Sequence, residues 1–206
     1  MKIIGIILLA LAALLFLFWK IVFLRNPKRN TPKGEDNVIA PADGKVIEVL
    51  EFTESEVKLF KGNSRLLGLI KTTTKDVAKE GYIISVFMSP LDVHQNRSPI
   101  AGIVKSVKHS DGKFLAVNTF EAGLVNEKSE TVIKGTITVK MVQIAGFLAR
   151  RVVTNVHPGD KVEAGQHVGL INLGSQVTVV LPKNVTVQVH KGDRTVAGET
   201  ILAKIN

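Results

Sequence analysis

The sequence predicts a mainly β protein: a single β-rich, sandwich- or barrel-like domain preceded by an N-terminal transmembrane helix. Three observations predict it. Residues 3–19, IIGIILLALAALLFLFW, form an unbroken uncharged run. Beyond residue 37, short stretches rich in Val, Ile and Thr recur between Gly, Pro, Asn and Asp turn signals, as strands of a sandwich or barrel do. The 172 residues after position 34 suffice for one domain, and a domain of that size buries roughly 70% of its unfolded surface without a disulfide or metal.

The anchor comes first. About 20 apolar residues carry a helix across the hydrocarbon core. Here the run resumes after Lys20 as IVFL to Leu24, and a lysine near one end snorkels to the interface. A secretory signal would end its shorter apolar core in a small-x-small cleavage site, not in Trp-Lys-Ile-Val-Phe-Leu-Arg. Residues 1–25 are therefore expected to be an uncleaved anchor. Lys20, Arg25, Lys28, Arg29 and Lys33 follow the span, against Lys2 and the α-amino group before it. This bias predicts a body on the cytoplasmic side of the cell (plasma or inner) membrane. The same cluster reads either as attraction to anionic membrane lipids, at about 1 kcal/mol per residue, or as a stop-transfer flank with no lipid role.

Charge and cysteine content narrow the function. The chain holds 27 basic and 18 acidic residues, but positions 1–34 contribute six bases and no acid, leaving 21 against 18 in the body. That near-balance argues against a nucleic-acid partner. The absence of cysteine excludes disulfides, thiol nucleophiles, iron–sulfur clusters and thiolate zinc sites. The five histidines, His94, His109, His157, His167 and His190, form no His-x-x-x-His pair, so no metal is expected.

Residues 26–37, NPKRNTPKGEDN, read as a basic linker, and 38–206 as the domain. The expected strands lie in VIAPADGKVIEVL, YIISVFM, IAGIVKSVKH, KFLAVNTF, TVIKGTITVKMVQIAGFLARRVV, HVGLINLG, VTVVLP, VTVQVH and ILAKI. Only about 53–62 and 144–151 suit a helical turn or two. His157-Pro-Gly159-Asp160 with Ala164-Gly165 recurs as His190-Lys-Gly192-Asp193 with Ala197-Gly198, every position offset by 33. Gly-Asp and Ala-Gly are turn chemistry, so the repeat predicts two similar β-hairpins. Such hairpins are similar to those of lipoyl and biotinyl carrier domains and of the barrel-sandwich domains of membrane-fusion adaptors. A non-catalytic carrier or adaptor is thus one alternative; a carrier would need an exposed hairpin lysine, and Val139-Lys140-Met141 is the segment to weigh.

Three segments carry chemistry. Pro41-Ala42-Asp43-Gly44 is, by itself, a β-turn. Ser89-Pro90-Leu91-Asp92-Val93-His94-Gln95-Asn96-Arg97 follows the strand YIISVFM as a polar loop, and Leu173-Gly174-Ser175 suits a bulge between strands. Together and in this order they resemble the phosphatidylserine decarboxylases, whose proenzymes carry Pro-x-Asp-Gly, Ser-Pro-x-Asp-x-His and a late Leu-Gly-Ser. The resemblance spans about 38–206 and is nearest the short, bacterial and archaeal-type branch.

The resemblance implies a self-processing enzyme. Ser175 would attack the carbonyl of Gly174, with His94 as the activating base and Asp43 orienting it; Asp92 is the other carboxylate weighed for that task. A serine hydroxyl needs such activation near neutral pH. Ester formation, β-elimination and hydrolysis would yield a β chain of 1–174 and a 32-residue α chain of 175–206 capped by a pyruvoyl cofactor made from Ser175. That cofactor, with no metal and no pyridoxal phosphate, would form a Schiff base with phosphatidylserine and release carbon dioxide and phosphatidylethanolamine. His94 also suits protonation of the product carbon. An archaetidylserine-type lipid has the same headgroup on different tails and stands as an alternative substrate. Longer family members resemble His-x-x-His in the middle loop, whereas Arg97 holds the second position here. Arginine stays protonated and cannot be a base; it reads either as a bidentate substrate contact or as a solvated or paired loop charge. Asn96 is a candidate headgroup contact. His109, His157, His167 and His190 are read as turn or hairpin residues. A homo-oligomer is compatible with all of this.

Overall fold

The computed structural model describes residues 2–53, 74, 76–112, 126–146, 151–172 and 175–206. The apolar N-terminus forms helix α1, Lys2–Leu17, which continues as a π-helical turn over Phe18–Phe23. Ile3–Phe23 is long and apolar enough to cross a membrane. Among the described residues, fourteen strands follow it: β1 Asn37–Ile39, β2 Gly44–Phe52, β3 Gly81–Met88, β4 Gln95–Arg97, β5 Gly102–Ser110, β6 Lys128–Lys134, β7 Thr138–Ile144, β8 Val152–Thr154, β9 Lys161–Val162, β10 His167–Ile171, β11 Ser175–Pro182, β12 Val185–Val187, β13 Arg194–Thr195 and β14 Ile201–Ile205. The expected strand in KFLAVNTF, most of the helical stretches at 53–62 and 144–151, and Leu173-Gly174 lie outside the described residues; Ile144 itself ends β7.

The strands form one eight-stranded sheet, β13-β2-β3-β11-β7-β6-β5-β9, and two three-stranded sheets, β1-β14-β12 and β4-β10-β8. Every pairing is antiparallel. Side chains alternate across a strand, so Ile84, Val86 and Met88 of β3, Val177, Val179 and Leu181 of β11, and Val139 and Met141 of β7 share one face. They form the core with Val38, Val168, Ile171 and Leu202 from the small sheets. The opposite face of β11 is buried too, and there Ser85 and Thr178 hydroxyls pair at 2.8 Å. A central strand covered on both sides explains why VTVVLP reads as a continuous apolar run rather than an alternating one.

The repeated segments form two matching turns, each leading into a two-residue strand that pairs with a strand distant in the chain, β9 with β5 and β13 with β2, and not with its neighbour as in the expected hairpin. In each, an aspartate carboxylate accepts the histidine main-chain N–H, Asp160 from His157 at 2.8 Å and Asp193 from His190 at 2.7 Å. Gly159 and Gly192 both adopt positive φ, at 99° and 106°. Each turn bonds an equivalent strand: Gly159 N–H to Val104 of β5, and Gly192 N–H to Val46 of β2. The pairings of β2 and β5 also shift register alike, after Val46 and after Val104. The repeat thus extends to halves that the sequence does not reveal by identity.

Lys140 is fully buried, with Nζ 2.8 Å from Asp76 Oδ2 and 3.2 Å from Glu130 Oε2. It lies in β7, inside the large sheet, and not at an exposed hairpin tip. This removes the carrier lysine. Two of the histidines read as turn residues also differ: His109 lies within β5 and His167 opens β10.

Candidate functional site

The strand order assembles the site. β2, β3 and β11 are neighbours, with Lys45 opposite Phe87 and Ser175 opposite Met88. The first residues of β2 and β11 therefore share one end of the sheet with the last residues of β3. Asp43 precedes β2, the Ser89–His94 loop leaves β3, and Ser175 opens β11. Gly44 follows Asp43 with φ +154°, and a Cβ there would lie 2.1 Å from the Phe87 carbonyl oxygen, so only glycine fits this close approach.

Asp92 folds the loop. Its Oδ2 accepts from Ser89 N–H at 2.8 Å and Ser89 Oγ at 2.7 Å, and Arg194 Nη2 donates to Oδ1 at 2.6 Å. Burial raises its pKa, but these donors outweigh it and hold the carboxyl below its ordinary value. The fold turns the Asp92 carbonyl toward His94, whose Nδ1 lies 2.9 Å away. A carbonyl only accepts, so Nδ1 carries the proton and Nε2 of the neutral ring keeps its lone pair.

His94 is 1% exposed, and its Nε2 has no hydrogen-bond partner among the described residues. Burial drives its pKa down to about 4; the Asp92 carbonyl and the carboxylates of Asp92 and Asp43 pull upward, and Arg25 adds to the lowering. Phe23, from the end of the N-terminal helix, covers the imidazole with ring centroids 4.2 Å apart.

Asp43 sits at the same end of the sheet but is otherwise engaged. Both its oxygens accept from Arg29 Nη2 at 2.9 Å, and Oδ1 accepts from Ala197 N–H at 2.7 Å. No hydrogen bond joins it to His94. The expected orienting partner is thus replaced by the Asp92 main-chain carbonyl, which no pattern of residue types encodes.

Ser175 is fully buried, and its Oγ donates to the Asn172 carbonyl at 3.1 Å. Ile171, next to Asn172, donates its N–H to the His94 carbonyl at 3.3 Å, which links the two candidate residues through five residues of chain. Gly174 lies outside the described residues. Asn96 is buried below: its Nδ2 contacts Met88 Sδ at 3.8 Å, and its Oδ1 accepts from Gln143 at 2.9 Å. Gln143 Oε1 in turn accepts from Thr154 at 3.0 Å, whose hydroxyl pairs with Ser129 at 2.8 Å. Sequence reasoning missed Gln143; the signal was a polar residue on the inward side of an alternating strand. Arg97 donates to the Gly165 carbonyl at 2.9 Å, Asn26 Oδ1 at 2.7 Å and the Pro27 carbonyl at 3.1 Å, so it fastens the linker.

Known proteins match over nearly the whole chain. The family described as Phosphatidylserine decarboxylase matches residues 16–203. A Methanocaldococcus jannaschii protein, assigned by name to the archaetidylserine decarboxylase proenzymes, is 37% identical over 94% of this chain and 93% of its own length. A phosphatidylserine decarboxylase proenzyme of Carboxydothermus hydrogenoformans is 41% identical over 84% of this chain and 72% of its own. One from Chlorobaculum tepidum is 37% identical over 97% and 84%.

Proposed function

The chain belongs to the phosphatidylserine decarboxylase family, and from that premise we propose that it is a self-processing, pyruvoyl-dependent decarboxylase of phosphatidylserine. The observation that carries the reading is the meeting of Asp43, the Ser89–His94 loop and Ser175 at one end of three adjacent strands.

The chain's own residues supply the processing chemistry. His94, with its proton fixed on Nδ1 by the Asp92 carbonyl, offers Nε2 as the base that takes the proton of Ser175 Oγ. The serine oxygen then attacks the carbonyl of residue 174, and ester formation, elimination and hydrolysis separate the chain before Ser175. The new terminus remains fastened in the sheet, because β11 is paired along its length with β3 and with β7. The fit for a pyruvoyl group is the buried position of Ser175, which keeps bulk water from a reactive ketone. When present, the group supplies the carbonyl that takes up the substrate amine and draws electrons as carbon dioxide leaves. In this reading His94 also returns a proton to the product carbon.

The positive cluster from Lys20 to Lys33 supports a body on the cytoplasmic face of the cell membrane, at headgroup depth. An archaetidylserine-type substrate is the second reading, favoured by the relative of that name aligned over most of both chains.

Intact mass of the denatured protein tests the proposal. Two chains meeting between Gly174 and Ser175, whose masses sum to the precursor plus water minus ammonia, are expected. Ser175→Ala is expected to stay one chain without decarboxylase activity. A single unmodified wild-type chain would overturn the reading, and parallel assay of the two lipids decides the substrate.

A further inference from the structure

The N-terminal helix does more than tether the domain. Its residues from Ile3 to Leu17 are exposed, Trp19 is half-buried, and Phe23 is fully buried. Phe23 is also the residue that meets the site: its ring lies 4.2 Å from the His94 ring, tilted by 36°, and stacks on Trp19 at 4.6 Å and 13°. The last turn is π-helical, closed by Leu24 N–H on the Trp19 carbonyl at 3.0 Å, and such widened turns recur at functional sites. Two further contacts hold this turn against the His94 loop. Arg25 Nη2 donates to the Leu91 carbonyl at 2.6 Å, and Gln95 Nε2 to the Leu24 carbonyl at 3.3 Å.

An aromatic ring packed on an imidazole excludes water from that face, which disfavours the charged form, and burial is the largest influence on His94, outweighing the smaller attraction of a ring face for a cation. We propose that Phe23 is a positioning residue for His94: it closes one face of the imidazole and keeps the ring neutral and able to accept the Ser175 proton. The proposal rests on the self-processing reading above and adds the end of the membrane helix to the reaction site.

The charged groups around the ring do not explain its neutrality by themselves. Asp92, in its own loop, and Asp43, before β2, both favour the imidazolium. Arg25, following the helix, opposes it, whereas Lys20 on the helix is exposed. Removal of water is the largest influence, and it lowers the pKa to about 4. Phe23 is the helix's contribution to that removal.

The test uses the full chain in lipid nanodiscs. In the Ser175→Ala background, side-chain NMR should show His94 neutral down to pH 5. Adding Phe23→Ala should move its midpoint up by at least one unit, and Phe23→Trp should restore it. In cell-free synthesised chain with Ser175 intact, Phe23→Ala should lower self-cleavage at pH 4.5 relative to pH 8 by about threefold against the parent chain, since a midpoint moved up by one unit from about 4 takes the neutral fraction at pH 4.5 from about three quarters to about one quarter. A purely structural role would scale the rate alike at every pH. An unchanged His94 midpoint and an unchanged pH profile in Phe23→Ala would overturn the proposal. If Phe23→Ala does not fold, Phe23→Leu carries the same comparison, with a smaller shift in the same direction expected and no shift refuting it. Self-cleavage by His94→Ala would instead remove His94 as the base, an outcome separate from the titration.

Discussion

Arg29 Nη2 reaches both carboxylate oxygens of Asp43 at 2.9 Å, so a residue of the linker holds the acid that motif order assigns to His94. Both side chains are largely buried, at 11% and 15% exposure. Together with Ala197 N–H, the pair fastens the linker to the turn before β2. Arg29→Ala leaves the carboxylate with one main-chain donor and should cost about 1.5–3 kcal/mol, the usual range for a hydrogen bond to a charged group. Denaturant unfolding in detergent measures this; a loss below a few tenths would mean that the pair is solvated.

His94 should make the fold acid-sensitive. Its folded pKa of about 4 lies below the ordinary 6.5. Between those values the unfolded chain binds a proton that the folded chain does not, so stability rises with pH across the window and is lost as pH falls through it. The full difference is about 3 kcal/mol. His167, whose pKa burial also lowers, contributes to the same window. The readout is therefore the flatter slope of Ser175→Ala/His94→Gln against Ser175→Ala between pH 6.5 and 4.5. Equal slopes would show that His94 titrates normally.

Arg97→Lys should loosen the linker and leave self-cleavage in place. A lysine ammonium cannot span Gly165, Asn26 and Pro27 as the guanidinium fork does. Trypsin should then cut faster after Lys28 or Arg29, by several-fold in a timed digest. An unchanged digest with weakened substrate use would assign Arg97 to the lipid headgroup instead.

Gln143→Leu should destabilise the fold by about 1–3 kcal/mol, because it leaves the buried Asn96 Oδ1 without its donor and takes one of the two partners of the Thr154 hydroxyl. Since Asn96 touches Met88, the strand partner of Ser175, slower self-cleavage should accompany the loss. Thermal unfolding and a chain-separation time course measure both; a stable variant that processes at the normal rate would show that the buried chain is dispensable.

Much of this site is legible along the chain, but unevenly. Asp43, His94 and Ser175 stand out because their residue types recur in a known order beside turn signals. Their convergence does not, because it depends on β2, β3 and β11 being neighbours although β11 follows β3 by more than eighty residues. Gln143 is hidden inside a strand run. The Asp92 carbonyl is invisible for a different reason: every residue has one, and only loop geometry decides which faces an imidazole.

Composition and local pattern by themselves determined the apolar helix, the β class and the recurring Gly-Asp turns, and the order of three short motifs carried the family resemblance. These follow from periodicity, turn chemistry and side-chain functional groups, all of which act over a few residues. Tertiary structure alone decided which partners those groups have: Asp43 with Arg29, His94 with the Asp92 carbonyl and Phe23, Arg97 with the linker, and Lys140 inside a sheet. Such contacts join residues far apart in the chain, and they are selected by the packing and hydrogen-bond satisfaction of the whole fold.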